Sequence, residues 1–256
     1  MNASRPLKIS SLVLSVLLLA GCITERVPDP NRPVDEEKYL RALIDLGAGY
    51  LKNGDYRRSK ENLMKAIDLD PKSSAAHTTL GLLYRIQRED RLAEKHFKKA
   101  VKFDPDNSQA KMNYGAFLDA NRKYKEAIVY LTEAADDTNY RNQPEARENL
   151  ARCYLNMGDH ISAEENFKKA LGLNPRLPIS LINMAQLNFD KLDYVNSMRY
   201  YRAFQNVSQQ SAKSLLLGIR LARVYGNEDE SKNYGMLLEK LFPGTEEYRI
   251  YRKLVK

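Results

Sequence analysis

Few side chains in this 256-residue chain could act as metal ligands or nucleophiles, since it holds only three histidines and two cysteines. Metal sites gather several such ligands at short spacing, and His77, His96 and His160 have no ligand-spaced companion. We expect each histidine to lie on a different helical hairpin, in a structural or solvated role. Cys153, beside Tyr154 in an apolar stretch, is typical of a buried, inert thiol. The chain also lacks phosphate-binding glycine motifs, so we predict no catalytic residue, metal site or cofactor.

The other cysteine, Cys22, ends a segment typical of exported bacterial lipoproteins. Arg5 and Lys8 precede an uncharged apolar stretch over residues 10–20, which is too short for a stable spanning helix of about 20 residues. The sequence Leu-Ala-Gly-Cys at 19–22 matches a lipobox, whose small residues admit the peptidase and whose thiol takes a diacylglyceryl group. An ordinary cleaved signal with a chance cysteine is the alternative interpretation.

We predict cleavage of residues 1–21, lipidation of Cys22 and an extended tether over residues 22–38. Three prolines among polar residues favour extended backbone in this segment. Acyl chains would anchor the protein to a membrane. Ile23 stands where an aspartate would resemble an inner-membrane retention signal, so the outer membrane, facing the periplasm, is the predicted location.

The formal charge of the chain is +8, and loss of Arg5 and Lys8 with the signal segment would lower it to +6. A positive charge by itself suggests nucleic-acid or acidic membrane partners. However, basic runs such as residues 95–99 alternate with acids, as on solvated helix faces, and export removes the chain from most nucleic acid. We therefore predict no nucleic-acid partner and no small-molecule substrate.

A 34-residue period organises the chain after the tether. Small residues recur at positions 8 and 20 of each unit, where two antiparallel helices would touch, and large residues recur at position 24. Proline at position 32 ends the second helix in most units. Columns that stay in register over several units are specific to helical repeats. The solenoid is predicted over residues 39–256, with units near 40–73, 74–107, 108–143, 144–177, 178–211 and 212–245 and a capping helix at 246–256.

Two units depart from this pattern. Residues 138–143 lack the terminating proline and add two residues between the third and fourth units. In the sixth unit, Leu217 and Gly218 lie one residue early relative to Pro243. This offset predicts an inter-helix loop one residue longer than in the other units.

The columns resemble the tetratricopeptide repeat family. The resemblance implies an all-α, right-handed superhelical solenoid of about six helical hairpins plus a C-terminal capping helix, whose first helices line a concave groove. An apolar strip exposed in that groove would hold a partner segment, unless the same side chains pack against neighbouring helices. The candidate groove residues are Ile44, Leu51, Lys52, Leu82, Arg85, Ile86 and Met112.

Three stretches carry a closer resemblance, to the type IV pilus biogenesis lipoprotein family (PilF/PilW), the pilotins of the pilus secretin. They are Leu-Gly-Ala-Gly-Tyr-Leu at 46–51, Asn-Tyr-Gly-Ala-Phe-Leu at 113–118 and Ser-Leu-Leu-Leu-Gly-Ile-Arg-Leu-Ala-Arg at 214–223. The resemblance implies an outer-membrane lipoprotein, not an enzyme, that binds secretin subunits and promotes their localisation and multimerisation. A lipoprotein scaffold for β-barrel insertion or for periplasmic peptidoglycan enzymes stays open as the alternative.

Overall fold

The computed structural model describes residues 35–255, so that the predicted signal segment, Cys22 and most of the tether lie outside the described residues. Helix α1 already begins at Glu36, three residues before the predicted start of the solenoid at residue 39. The described residues form thirteen α-helices and no strand. The helices are α1 (Glu36–Lys52), α2 (Tyr56–Leu69), α3 (Ser74–Ile86), α4 (Asp90–Phe103), α5 (Ser108–Ala120), α6 (Tyr124–Asp136), α7 (Gln143–Met157), α8 (His160–Leu173), α9 (Pro178–Asp190), α10 (Tyr194–Gln205), α11 (Ala212–Val224), α12 (Glu228–Leu241) and α13 (Glu246–Leu254).

Successive helices pair into six hairpins, α1–α2 to α11–α12, and each hairpin packs against the next. The short α13 packs against α11 and α12 at the end of the stack. The all-α repeat solenoid predicted from the sequence is confirmed. The hydrophobic clusters of the described residues lie within the compact unit Glu36–Lys256, which therefore has its own core and can fold by itself.

Close packing within each of the first three hairpins depends on a glycine at position 8. A Cβ atom on Gly81 would come within 2.7 Å of the Phe97 ring, and one on Gly47 would come within 2.6 Å of Leu63. Phe97 and Leu63 are fully buried. A small residue on the first helix thus admits a large one on the second, as the columns predicted.

In the sixth hairpin the large residue is at position 8 and the small one at position 24, while the turn between the two helices keeps its usual length. Its turn spans residues 225–227, three residues as in the turn at 87–89, so the predicted longer loop is wrong. Ile219 occupies position 8 and Gly235 occupies position 24, and Tyr251 of α13 fills the space beside Gly235. The early Gly218 instead packs against Tyr201 of the preceding hairpin.

Each hairpin turn places one residue in the left-handed backbone region. Glycine, which adopts this region at little cost, serves in three turns. Arginine serves in two others, and Leu192 adopts φ of 64° in the turn between α9 and α10. The six residues are Gly54, Arg88, Arg122, Gly158, Leu192 and Gly226.

Candidate partner-binding surface

The histidines are not distributed as the sequence suggested. His77 of α3 and His96 of α4 face each other within one hairpin, with their Nδ1 atoms 2.9 Å apart. The expectation that every histidine lies on a separate hairpin without a companion is therefore wrong. His160, at the start of α8, is exposed.

The contacts of the histidine pair determine which nitrogen carries each proton. His77 Nε2 lies 3.2 Å from the carbonyl oxygen of Pro71, which can only accept, so that nitrogen donates. In a neutral ring the Nδ1 atom of His77 then accepts from the Nδ1–H group of His96. Burial lowers the pKa of His96 to about 4 and also lowers that of His77, so both rings are neutral near pH 7 and the pair is structural.

Cys153 has the environment expected of an inert thiol. It is fully buried and unpaired in α7, where its Sγ atom lies 3.7 Å from the carbonyl oxygen of Tyr124. Burial raises its pKa to about 12, so a thiolate is scarce near neutral pH. Within residues 35–255, no group of three or more histidines, cysteines and acidic residues could hold a metal ion.

The apolar groove residues are less exposed than an open binding strip requires. Leu51, Leu82 and Met112 are half-buried and pack against the main hydrophobic cluster, and Ile44 packs against the first-hairpin cluster. Only Ile86 is exposed, at 45%. Four of the five apolar groove residues therefore pack against neighbouring helices, as the alternative interpretation predicted. The groove exposes a single apolar side chain to a partner instead of a continuous apolar strip.

The cationic groove residues Lys52 and Arg85 are exposed. Neither side chain makes a hydrogen bond or ion pair with the part of the chain that the structure describes. Loss of surrounding water lowers the pKa of Arg85. The third hairpin, by contrast, has a charged side chain with a partner. The buried Asp119 carboxylate on α5 accepts hydrogen bonds of 3.0 and 3.2 Å from the side chain of Asn156. Lys52 in the first hairpin and Arg85 in the second thus carry positive charge with no side-chain partner among the described residues.

A second surface, missed from the sequence, lies on α1. Leu46 occupies position 7 and is 51% exposed, whereas Leu80 and Met184 at the same position of later hairpins are fully buried. Those later residues are covered by the preceding hairpin, and the first hairpin has no predecessor among the described residues. Terminal repeats commonly carry a polar outer face, so a leucine in this column was the signal that could have revealed the surface.

The open face of α1 extends along the helix. It forms a shallow hollow of about 690 Å³, and Tyr39 beside it is 46% exposed. In later hairpins an amphipathic second helix covers the corresponding surface. The face is therefore shaped for a helical segment with an apolar stripe. We call it the α1 face; the hollow is lined by Ala42, Asp45, Leu46, Gly49, Tyr50 and Asn53.

None of the helices within residues 35–255 is both long and apolar enough to cross a membrane. Models of the tetratricopeptide repeat match residues 44–108, 87–147 and 144–177. The type IV pilus assembly protein PilF of Pseudomonas aeruginosa is 37% identical over 235 residues, covering 91% of this chain and 93% of that protein.

Solved structures agree with these matches. One from the functional characterisation of P. aeruginosa PilF superposes with a TM-score of 0.83 at 37% identity, covering 86% of this chain and 99% of that one. The crystal structure of PilW, a widely conserved type IV pilus biogenesis factor, superposes with a TM-score of 0.73 at 25% identity, covering 82% and 97%. The chain therefore belongs to the PilF/PilW family of tetratricopeptide proteins, which act in type IV pilus biogenesis.

Proposed function

We propose that this chain is a pilotin, anchored to the outer membrane through acyl chains on Cys22, that binds the type IV pilus secretin and promotes its localisation and multimerisation. Membership of the PilF/PilW family supports the pilus role. The observation that carries the binding step is the uncovered α1 face, with Leu46 half-exposed at a position buried in later hairpins.

The occupant of the α1 face is an amphipathic helical segment of the secretin subunit. Such a segment would repeat the contact that each later hairpin makes with its predecessor, and would bury Leu46 and Tyr39. Buried apolar anchors dominate the affinity of protein interfaces. Arg85 and Lys52, which have no acidic partner in the described chain, favour acidic residues in the part of the secretin that reaches the groove.

Capture of the secretin by the lipidated protein, purified from detergent-solubilised membranes, tests the binding step. We expect Leu46→Asp to abolish capture, because a carboxylate would be desolvated against the apolar segment. Val129→Asp is the matched control, since Val129 is 53% exposed on α6, and it should leave capture unchanged. Both variants should keep the wild-type melting temperature.

Two results would overturn the proposal. One is wild-type secretin capture by Leu46→Asp. The other is recovery of a β-barrel assembly component or a peptidoglycan enzyme in place of the secretin, which would instead favour a different scaffold role.

Membrane fractionation tests the anchor separately. Cys22→Ser removes the acceptor thiol, and the described body begins thirteen residues later, so its helical circular dichroism should not change. We expect the variant to leave the outer-membrane fraction. Its retention there at the wild-type level would show that Cys22 does not anchor the protein.

A further inference from the structure

The most exposed large apolar side chains of residues 35–255 are concentrated along one edge of the solenoid. Ile161, Val195 and Leu192 are 81%, 74% and 70% exposed, and the next, Met236, is 59% exposed. All three lie at or just after the turn between the two helices of a hairpin. The proposed secretin contact uses none of them.

The turns that carry these three side chains lie next to one another. The Lys191 ammonium group bonds to Glu164 on α8, which brings the turn that carries Leu192 against the first turns of the helix that carries Ile161. Val195 lines a hollow of about 710 Å³ together with Tyr225 of the next turn, and Tyr225 is 50% exposed. We call Ile161, Leu192, Val195 and Tyr225 the turn patch.

Backbone conformation makes Leu192 unusual within this patch. It adopts φ of 64°, a conformation that costs a residue with a side chain about 1 kcal/mol or more. The equivalent turns use glycine in the first, fourth and sixth hairpins and arginine in the second and third, so Leu192 is the one apolar side chain held in this conformation among the described turns. Leu192 also exposes most of its surface and gains little from packing within the monomer, which makes the turn patch a candidate surface for a covering partner.

Charge along the turn edge indicates what that partner is. In the first three hairpins, repeat positions 14–18 hold six basic and three acidic residues, among them Arg88, Arg91, Arg122 and Lys125. In the last three hairpins the same positions hold one lysine and four acidic residues, among them Asp159 and Asp229. The edge thus has a basic half and an acidic half, and the acidic half carries the turn patch.

A surface whose two halves have opposite charge is complementary to itself when a second copy is turned end for end. A two-fold axis between the third and fourth hairpins would place Arg122 and Lys125 of each copy against Asp159 and Ile161 of the other. Such an isologous contact closes after two subunits. Exposed Tyr56 in the basic half, with the aliphatic stems of the arginines, would cover the turn patch.

We propose that the turn edge is a self-association surface on which two copies pair antiparallel, the turn patch of each seated on the basic half of the other. The pairing leaves the α1 face free. It needs no secretin or lipid anchor, so it stands or falls independently of the pilotin role.

Sedimentation velocity of the compact unit, residues 36–256, from roughly 1 to 200 µM covers the affinity range of weak specific pairs. We expect a reversible monomer–dimer equilibrium, weakened by salt because the charged halves are exposed. A monomer throughout the range, or assembly into open polymers, would overturn the proposal.

Variants locate the contact. Val195→Asp should weaken dimerisation about tenfold or more through loss of a buried aliphatic contact. Leu192→Gly removes a second apolar side chain of the turn patch and relieves the strained backbone. It should therefore weaken dimerisation while the melting temperature stays the same or rises. Because that variant cannot fail by unfolding, an unchanged dimer in it would contradict the proposal. Met236→Asp, at an exposed apolar site away from the turn edge, is the matched control and should dimerise normally.

A charge reversal tests the basic half. Arg122→Glu combined with Lys125→Glu should weaken dimerisation about tenfold or more, because acids would then face Asp159. Lys65→Glu combined with Lys72→Glu makes the same change in net charge at exposed sites outside the turn edge, and should have little effect. Equal effects from the two pairs would show that net charge, and not this surface, controls association.

Discussion

Glu148 in the fourth hairpin caps a helix of the fifth hairpin through Ser180. Its carboxylate accepts hydrogen bonds from the backbone N–H and the hydroxyl of Ser180, each 2.8 Å long. Ser180 is the third residue of α9, whose own N-cap, Leu177, has no side chain able to accept. A buried acid therefore supplies the cap from the neighbouring repeat and fixes how the two hairpins stack.

Glu148→Ala should destabilise the solenoid by about 1–3 kcal/mol, because it leaves the buried donors of Ser180 without an acceptor. Chemical unfolding followed by circular dichroism measures the loss. Glu145→Gln is the control, since it changes a nearby acid on the same helix with no part in the cap. An effect of Glu148→Ala no larger than that of Glu145→Gln would mean that the inter-repeat cap contributes nothing.

The same capping contact has a pH signature. Burial is the main cause of the raised pKa of Glu148, so its contribution to stability is fullest below the ordinary carboxyl pKa and declines as pH rises through the raised value. Glu148→Gln keeps an acceptor oxygen without a charge to desolvate. Its stability relative to wild type should therefore improve from pH 4 to pH 7, and an unchanged difference would contradict this account.

The repeat columns predicted the hairpins well, because position 8 and position 24 residues such as Gly81 and Phe97 touch within one hairpin. The loop length of the sixth hairpin was predicted wrongly because the residues at positions 8 and 24 both change there. Ile219 takes the large role, Gly235 takes the small one, and Tyr251, from beyond the repeats, fills the remaining space. A column inspected one position at a time cannot reveal such compensation.

Sites that depend on contacts between repeats were harder to predict. Leu51 and Leu82 occupy positions expected to line the groove, yet both pack against the main cluster, because neighbouring first helices close over them. His77 and His96 are nineteen residues apart and match no ligand motif, and only the pairing of α3 with α4 brings them together. Leu46 occupies the same repeat position as buried Leu80, but its exposure depends on there being no hairpin before α1 among the described residues.

Because of the buried pair His77 and His96, we expect the folded protein to lose stability in mild acid. Burial lowers the pKa of both rings, and Lys99 opposes further positive charge at each. In the unfolded chain the histidines take protons near pH 6.5, whereas folded His96 does so only near pH 4. The stability linked to the pair is therefore present above pH 6.5 and is lost as the pH falls toward 4, by about 3 kcal/mol.

Urea unfolding at several pH values between 7 and 4 measures this dependence. His96→Gln should flatten it, because the titrating group is gone, while His160→Gln at an exposed site should keep the wild-type slope. A slope unchanged by His96→Gln would mean that other groups control acid stability.

The glycine at position 8 can be tested with a second glycine as control. Gly81→Ala would place a methyl group within 2.7 Å of the buried Phe97 ring, and overpacking of this kind costs about 1–3 kcal/mol. Gly49 in α1 has nothing within 4 Å of the equivalent point, so Gly49→Ala should raise stability by about 0.5–1 kcal/mol through the better helix propensity of alanine. Opposite shifts in melting temperature are expected, and a neutral Gly81→Ala would contradict the packing described.

The two neighbours Leu82 and Ile86 separate the packing role of the groove from its binding role. Leu82 is half-buried against the main cluster, so Leu82→Asp would bring a carboxylate into apolar surroundings and should lower the melting temperature. Ile86 is 45% exposed, so Ile86→Asp should leave the melting temperature nearly unchanged. If the groove contributes to secretin binding, Ile86→Asp should still weaken capture, roughly thirtyfold for an anchor worth about 2 kcal/mol. Wild-type capture by folded Ile86→Asp, together with loss of capture by Leu46→Asp, would restrict the binding site to the α1 face.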